Sequence, residues 1–233
     1  MRKYLKNKVL YLFSGYFSKL LVFLFLLFVF RPYDQGAIYT AIWEFLFAAV
    51  FVSAIFDAHH PKLIRIICIA LAIPALLLDW TLLMFSNEAI AVGSLTCTLL
   101  FMLVCTGSIL YNVVLKARVS METLRGVICA YFMIGFAFAF AFVIIEYIHP
   151  GSFHMIDELK NLSSQRIQFF SQMVYFSFVT LLTIGFGDIS AIANVSQTCT
   201  IIEGIFGQFY IAILVSRLVA VYAFASGRIG KKN

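Results

Sequence analysis

Charged residues are scarce in this chain. Of its 233 residues, 12% are Asp, Glu, Lys or Arg, whereas 63% are hydrophobic. A soluble domain carries about 25% charged residues, because its surface has to be polar. The shortage of charge therefore predicts an integral membrane protein. The net charge of +6 is attributed to membrane topology and to attraction by anionic lipid, not to nucleic-acid binding.

Clustered metal ligands are lacking as well. The five cysteines all lie inside apolar segments, at none of the short spacings that are typical of zinc sites. We expect them to be buried packing residues rather than disulfide partners or metal ligands. They are Cys68, Cys97, Cys105, Cys129 and Cys199.

Long apolar runs fill most of the chain. A helix needs about 20 predominantly apolar residues to cross a bilayer, and six segments are long enough: 9–30, 37–57, 62–84, 88–114, 124–148 and 197–225. The first run is too long for a signal peptide and has no small-residue cleavage site, so we expect it to remain as a helix. The predicted fold class is an all-α membrane protein with six transmembrane helices.

The basic residues predict the orientation of these helices. If the N-terminus is cytoplasmic, twelve Lys and Arg residues lie at inner ends and three at outer ends, a bias that favours cytoplasmic N- and C-termini. The small size and short loops favour a multi-pass protein of a bacterial inner membrane. The inner set is Arg2, Lys3, Lys6, Lys8, Lys62, Arg65, Lys116, Arg118, Arg125, Arg228, Lys231 and Lys232, and the outer set is Arg31, Lys160 and Arg166.

One run between two apolar segments carries a specific pattern. Residues 180–188 read Thr-Leu-Leu-Thr-Ile-Gly-Phe-Gly-Asp. A stretched backbone whose carbonyl groups all point at one axis can replace the hydration shell of K⁺. This arrangement needs alternating left- and right-handed backbone angles, which glycine adopts without steric cost. Gly185 and Gly187 stand at the points of alternation.

The other side chains of the run complete this interpretation. The Thr183 hydroxyl adds an oxygen at the inner end of the row. We expect Ile184 and Phe186 to point outward and pack against a supporting helix, while Asp188 caps the outer mouth.

The run resembles the filter of the potassium-channel pore family, Thr-x-x-Thr-x-Gly-Tyr/Phe-Gly-Asp, and the likeness extends over roughly 124–226. The matching residues are Thr180, Thr183, Gly185, Phe186, Gly187 and Asp188. The resemblance implies a potassium-selective channel that passes K⁺ without a cofactor. It also implies that K⁺ is bound by Thr183, Ile184, Gly185, Phe186 and Gly187.

Two flanking features extend this resemblance. Residues 168–181 form a short apolar stretch of the length expected for a re-entrant pore helix. Gly207 lies 207 − 188 = 19 residues beyond Asp188, where the family often carries a gating glycine. The implied architecture is a four-helix region over 1–118 and a pore domain over 119–233.

Several further residues are expected to support the filter or the gate. Val179 stands where some family members carry a glutamate, so Tyr175 is the expected partner of Asp188, with Thr180 nearby. Glu203 is expected to accept a hydrogen bond from a pore-helix hydroxyl such as Ser177 or Thr180, or else to tune gating. The residues expected to face the cavity are Gln208, Ile211 and Val215.

The motif occurs once in the chain, which has a consequence for assembly. A ring of carbonyl groups around K⁺ needs four strands, so four identical chains around a fourfold axis are expected. The fourth apolar segment carries no Lys or Arg between Ala89 and Leu115. Because voltage sensing needs several such charges, we expect little intrinsic voltage dependence.

Two alternatives remain open. A nonselective cation channel would share the pore without its discrimination against Na⁺. Gly185 to Asp188 also fits the Gly-x-Gly-Asp motif of intramembrane aspartyl proteases, which need a second carboxylate such as Asp34 or Asp79. We expect a non-enzymatic protein. The acidic and histidine residues near the outer surface are expected to be solvated loop residues: Glu146, His149, His154, Asp157 and Glu158.

Overall fold

Seven helices and two short strands make up the part of the chain that the computed structural model describes, namely residues 16–30, 37–56, 62–84, 87–112, 121–155 and 162–229. The elements follow in the order α1 (Tyr16–Val29), α2 (Ala37–Ile55), α3 (Lys62–Met84), α4 (Glu88–Tyr111), α5 (Met121–Ile148), β1 (Phe153–Met155), α6 (Leu162–Leu181), β2 (Ile189–Ala191) and α7 (Asn194–Ile229).

The helices coincide with the predicted apolar segments to within a few residues at most ends. Four of them are long and apolar enough to cross a membrane, over Lys62–Leu82, Glu88–Tyr111, Glu122–Ile148 and Asn194–Leu214. The apolar parts of α1 and α2 that the structure describes, Phe17–Val29 and Ala41–Ile55, are shorter. Residues 9–15 of the first predicted segment lie outside the described ranges. The chain is an all-α membrane protein with four clear candidate spans in its described part.

The start of α6 was predicted too late. The sequence placed this helix at 168–181, whereas it begins at Leu162 and has 20 residues. The missed residues read Leu-Ser-Ser-Gln-Arg-Ile, and a prediction based on apolar runs passes over such a polar first turn.

Helix α5 is the central element of the described structure, because it packs against α1, α4, α6 and α7. Phe178 of α6 lies in an aromatic cluster with three rings from α1 and α5, whose centroids are 4.8 to 5.7 Å away: Phe28, Phe132 and Phe136. In a bilayer, helix association depends on close packing rather than on exclusion of water. This cluster therefore fixes α6 against the body of the protein.

Strands β1 and β2 were not predicted. They pair in antiparallel register, with His154 opposite Ser190, and so join the chain before α6 to the chain before α7. Ser152 strengthens the junction, since its carbonyl accepts hydrogen bonds from the Ile192 N–H at 2.9 Å and the Ser196 hydroxyl at 2.8 Å.

Glu146 corrects the interpretation of the outer polar residues. It is buried at the end of α5, and its carboxylate accepts the backbone N–H groups of Gly151 at 2.7 Å and Ser152 at 2.9 Å. Glu146 is thus a structural acceptor for the turn before β1 rather than a solvated loop residue. His149 and His154 are exposed, as expected. Asp157 and Glu158 lie outside the described residues.

Candidate functional site

The segment that follows α6 is held to the end of that helix by backbone hydrogen bonds. The Thr183 N–H donates to the Thr180 carbonyl and the Ile184 N–H to the Val179 carbonyl, both at 2.9 Å. The Gly185 N–H also points to the Val179 carbonyl, at 3.4 Å. The last carbonyl groups of a helix lack partners within the helix. Here they are satisfied by the segment that follows.

Residues 183–187, called the 183–187 segment below, have alternating backbone handedness. The φ angle is +58° at Thr183, +59° at Gly185 and +80° at Gly187, which places every second residue in the left-handed region. Thr183 is the sole non-glycine residue with a positive φ in the described part of the chain. For such a residue this conformation costs about 1–2 kcal/mol, and strain of this kind concentrates at functional sites.

The alternation leaves a row of backbone oxygens without protein partners. Among the described residues, no hydrogen bond is made to the carbonyl oxygens of the 183–187 segment, and all five residues are exposed. Because the N–H groups of Thr183 to Gly185 are directed at α6, the carbonyl groups on the opposite side of the backbone stay available. Such a row of oxygens is suited to binding a dehydrated cation.

Asp188 and Tyr175 join the far end of the segment to α6. The expected hydrogen bond is present, with the Tyr175 hydroxyl donating to Asp188 Oδ2 at 2.7 Å, and Asp188 Oδ1 accepts the Ile189 N–H at 3.1 Å. The rings of Tyr175 and Phe186 are stacked, with centroids 6.5 Å apart and planes at 3°. Even so, Phe186 remains 67% exposed and Ile184 50% exposed. The outward packing expected for these two side chains is therefore incomplete within one chain.

The Tyr175→Phe variant tests this connection, because it keeps the stacked ring and removes the donor to Asp188. We expect it to lower the free energy of unfolding by about 1.5–3 kcal/mol, the usual contribution of a hydrogen bond to a charged group. Thermal unfolding in detergent measures the change. In a double-mutant cycle with Asp188→Asn, the two effects should not add. Simple additivity would show that the contact contributes nothing.

Glu203 of α7 is fully buried and contacts α6. The Ser177 hydroxyl donates to Glu203 Oε1, which is one of the hydrogen bonds that the sequence predicted. The same hydroxyl is 2.7 Å from the Gly135 carbonyl oxygen, so one hydrogen faces two acceptors. Glu203 Oε2 is buried and has no partner among the described residues. This network joins α5, α6 and α7 at one point.

The Glu203→Gln variant is expected to retain wild-type thermal stability. A glutamine amide can donate to the Ser177 oxygen, which leaves the serine hydrogen free for the Gly135 carbonyl. Glu203→Ala should instead lower the free energy of unfolding by about 2–4 kcal/mol, because it leaves a cavity among three helices. Thermal unfolding of both variants in the same detergent makes the comparison. Equal stability of the two would disprove a structural role for this side chain.

Gly207 packs directly against the end of α6. A Cβ atom at this position would lie 2.3 Å from the Leu181 carbonyl oxygen, which also accepts a hydrogen bond from the Tyr131 hydroxyl at 3.3 Å. The structure thus gives Gly207 a packing reason for lacking a side chain. Gln208 and Ile211 are exposed on the next turn of α7. The side chain of Val215 lies outside the described ones.

Asp79, one of the two acidic residues considered as a partner of Asp188, lies elsewhere. Asp79 lines a cavity between α2 and α3 together with Glu44 and two tryptophans, whereas Asp188 contacts Tyr175 and Ile189. Asp34 lies outside the described residues. Within the described part of the chain, the geometry shows no converging pair of carboxylates at Asp188.

Comparison with known proteins gives one match. Residues 127–223, which run from α5 to α7 and include the whole site, match a family model described as "Ion channel". No curated protein and no solved structure matches the chain. Residues 127–223 are therefore similar to ion channels, and the four long apolar helices support an integral membrane protein.

Two features of the site were missed by sequence reasoning. The left-handed conformation of Thr183 has no sequence signal, because threonine normally avoids it. The contact of Ser177 with the Gly135 carbonyl joins positions 42 residues apart. No local pattern indicates a pair at that separation.

Proposed function

We propose that four copies of this chain form a potassium-selective channel in which the 183–187 segment of each copy lines the ion path. The observation that carries the proposal is the alternation of backbone handedness at Thr183, Gly185 and Gly187, together with carbonyl groups that lack partners in the described chain. In this assembly, K⁺ is bound by the oxygens of Thr183, Ile184, Gly185 and Phe186 in place of its hydration shell. No cofactor is required, because K⁺ moves down its own gradient.

The end of α6 adds an electrostatic argument. The helix terminates at Leu181, immediately before the segment. A helix C-terminus carries the equivalent of about half a negative charge, and this sign favours a cation nearby. In the proposed channel, α6 is therefore the re-entrant pore helix. Thr180 and Tyr175 serve as supports of the filter.

Exposed apolar side chains support the tetramer. One chain offers a single row of oxygens, which cannot surround an ion. Several large apolar side chains of the segment and of α7 remain 49% to 67% exposed in the single chain. They are Ile184, Phe186, Ile205, Phe206, Phe209 and Ile213. Neighbouring copies related by a closed fourfold symmetry would cover part of this surface.

The remaining features of the proposal concern topology. All six apolar helices cross the membrane, both termini are cytoplasmic, and residues 1–118 form a unit beside the pore domain of 119–233. The positive-inside bias supports this arrangement. Helix α4 contains no Lys or Arg, which supports weak dependence on voltage. Gly207, Gln208, Ile211 and Val215 belong to the gate and cavity in this arrangement.

Reconstitution into liposomes tests the proposal. Vesicles loaded with K⁺ and diluted into a K⁺-free medium should release the ion, and the same vesicles should pass Na⁺ much more slowly. Vesicles without protein provide the control. Absence of K⁺ flux would overturn the channel, and equal K⁺ and Na⁺ flux would favour the nonselective cation channel instead.

A further inference from the structure

Two of the five cysteines are brought together by the fold. The Sγ atoms of Cys68 on α3 and Cys105 on α4 lie 3.3 Å apart, and both residues are fully buried. Their separation of 37 residues in the chain gives no local signal. Both are buried and form no disulfide in the structure, as expected, but the contact between their sulfur atoms was not predicted.

The approach of the two thiols rests on the antiparallel packing of α3 and α4. A second contact fixes the same pair of helices, since the Ser94 hydroxyl donates to the Ala75 carbonyl at 3.2 Å. Ala75 follows Cys68 in α3 and Ser94 precedes Cys105 in α4, which is the order expected for antiparallel helices. The hydrogen bond between Ser94 and Ala75 thus helps to hold the two helices in the position that brings Cys68 and Cys105 together.

A disulfide would require little movement. The S–S bond is about 2.0 Å long, so the sulfur atoms have to approach by about 1.3 Å from their present separation. The thiolate is the form of cysteine that attacks an oxidant. The two sulfur atoms lie within hydrogen-bond distance of each other, so one thiol can donate to the other sulfur and stabilise that form.

The surroundings of the pair determine which oxidants reach it. Cys68 itself is buried, but its neighbours Ile66, Ile67 and Ile69 are 63%, 38% and 39% exposed on the apolar surface of α3. The apolar part of α3 is a candidate membrane span with only 17% of its window buried inside the chain, so we expect these exposed side chains to contact lipid. An oxidant dissolved in the lipid would then reach the thiols through the apolar side chains of α3, and we expect it to react faster than an aqueous one.

We propose that Cys68 and Cys105 form a disulfide on reaction with membrane-soluble organic hydroperoxides, and that a small dithiol reduces it again by thiol–disulfide exchange. One thiolate attacks the peroxide bond, which gives a sulfenic acid and releases the alcohol. The second thiol then attacks the sulfenic sulfur, which forms the disulfide and releases water. The two thiols lose two electrons and the hydroperoxide gains them, so the step is balanced.

Peptide mapping tests the proposal on the full-length protein in liposomes. After treatment with cumene hydroperoxide, free thiols are blocked with N-ethylmaleimide and the protein is digested with chymotrypsin. Cleavage after aromatic residues places Cys68, Cys97 and Cys105 on separate fragments, 57–80, 86–101 and 102–111. We expect fragments 57–80 and 102–111 to be joined, and to separate on addition of dithiothreitol.

Two comparisons make the outcome specific. Cys68→Ser and Cys105→Ser should each abolish the joined species, whereas Cys97→Ser, a change on the same helix α4, should leave it intact. Hydrogen peroxide at the same concentration should form the disulfide several-fold more slowly. The proposal fails if the two fragments are not joined in the wild type, if Cys97 is joined instead, or if both oxidants react at the same rate.

Discussion

Gly207→Ala is expected to abolish K⁺ flux in liposomes and to lower the temperature of thermal unfolding. The added Cβ atom would lie 2.3 Å from the Leu181 carbonyl oxygen and 3.2 and 3.3 Å from the carbonyl carbon and Cα atom of the same residue. All three are backbone atoms, so no side chain can rotate away to make room. Overpacking of this kind costs about 1–3 kcal/mol. Leu181 ends α6, so its displacement reaches the 183–187 segment through the hydrogen bonds that join them.

Gly204→Ala is the matched control for this variant. Gly204 lies one turn earlier on α7, and a Cβ atom there meets nothing within 4 Å in the chain. Both substitutions gain the same helix propensity, about 1 kcal/mol over glycine. We expect Gly204→Ala to retain flux and stability. If the two variants behaved alike in both measurements, the close approach at Gly207 would not be the cause.

Gly185→Ala should abolish conduction while leaving the fold intact. Gly185 has a φ of +59° and no atom of the chain within 4 Å of the position of an added Cβ. The effect therefore comes from the backbone, because alanine pays about 1–2 kcal/mol for the left-handed conformation. A segment that relaxes to avoid this cost turns its carbonyl groups away from the row. We expect K⁺ flux to fall by more than about tenfold, because each 1.4 kcal/mol of lost binding free energy weakens K⁺ binding about tenfold.

Gly151→Ala separates backbone strain from loss of function. Gly151 has a φ of +82° and is equally free of nearby atoms, but it lies in the turn before β1. Its substitution carries a similar strain away from the carbonyl row, so stability should fall by a similar amount while flux per folded protein stays unchanged. Flux that survives in Gly185→Ala, or that disappears equally in Gly151→Ala, would contradict the assignment of the 183–187 segment.

Local patterns in the sequence predicted the main elements of the site because the chemistry is local. The two alternate glycines, Gly185 and Gly187, can be read directly from the sequence. Two long apolar runs likewise predicted the helices α3 and α4. The hydrogen bond between Tyr175 and Asp188 was expected from the family resemblance, because Val179 stands where some members carry a glutamate partner. These features require no knowledge of distant contacts.

Other features depend on distant contacts and could not be predicted. Thr183 adopts a left-handed conformation because its neighbours are tied to α6, against its own preference. Glu146 is buried because the turn that follows supplies two N–H donors, which composition alone does not show. The pair of Cys68 and Cys105 depends on the register of two helices. The polar start of α6 at Leu162 was missed because the prediction relied on hydrophobicity.

The contacts between α6 and α7 have a mechanical consequence. Glu203 touches Ser177 and Gly207 touches Leu181, and the difference in residue number is the same in both pairs, 203 − 177 = 207 − 181 = 26. The two helices therefore run in the same direction in fixed alignment, so sliding of one along the other breaks both contacts at once. The Tyr210 hydroxyl also donates to the Val127 carbonyl of α5, so contacts with α5 and α6 hold α7 from Glu203 to Tyr210. A tilt of α7 that spares these contacts has to pivot beyond Tyr210.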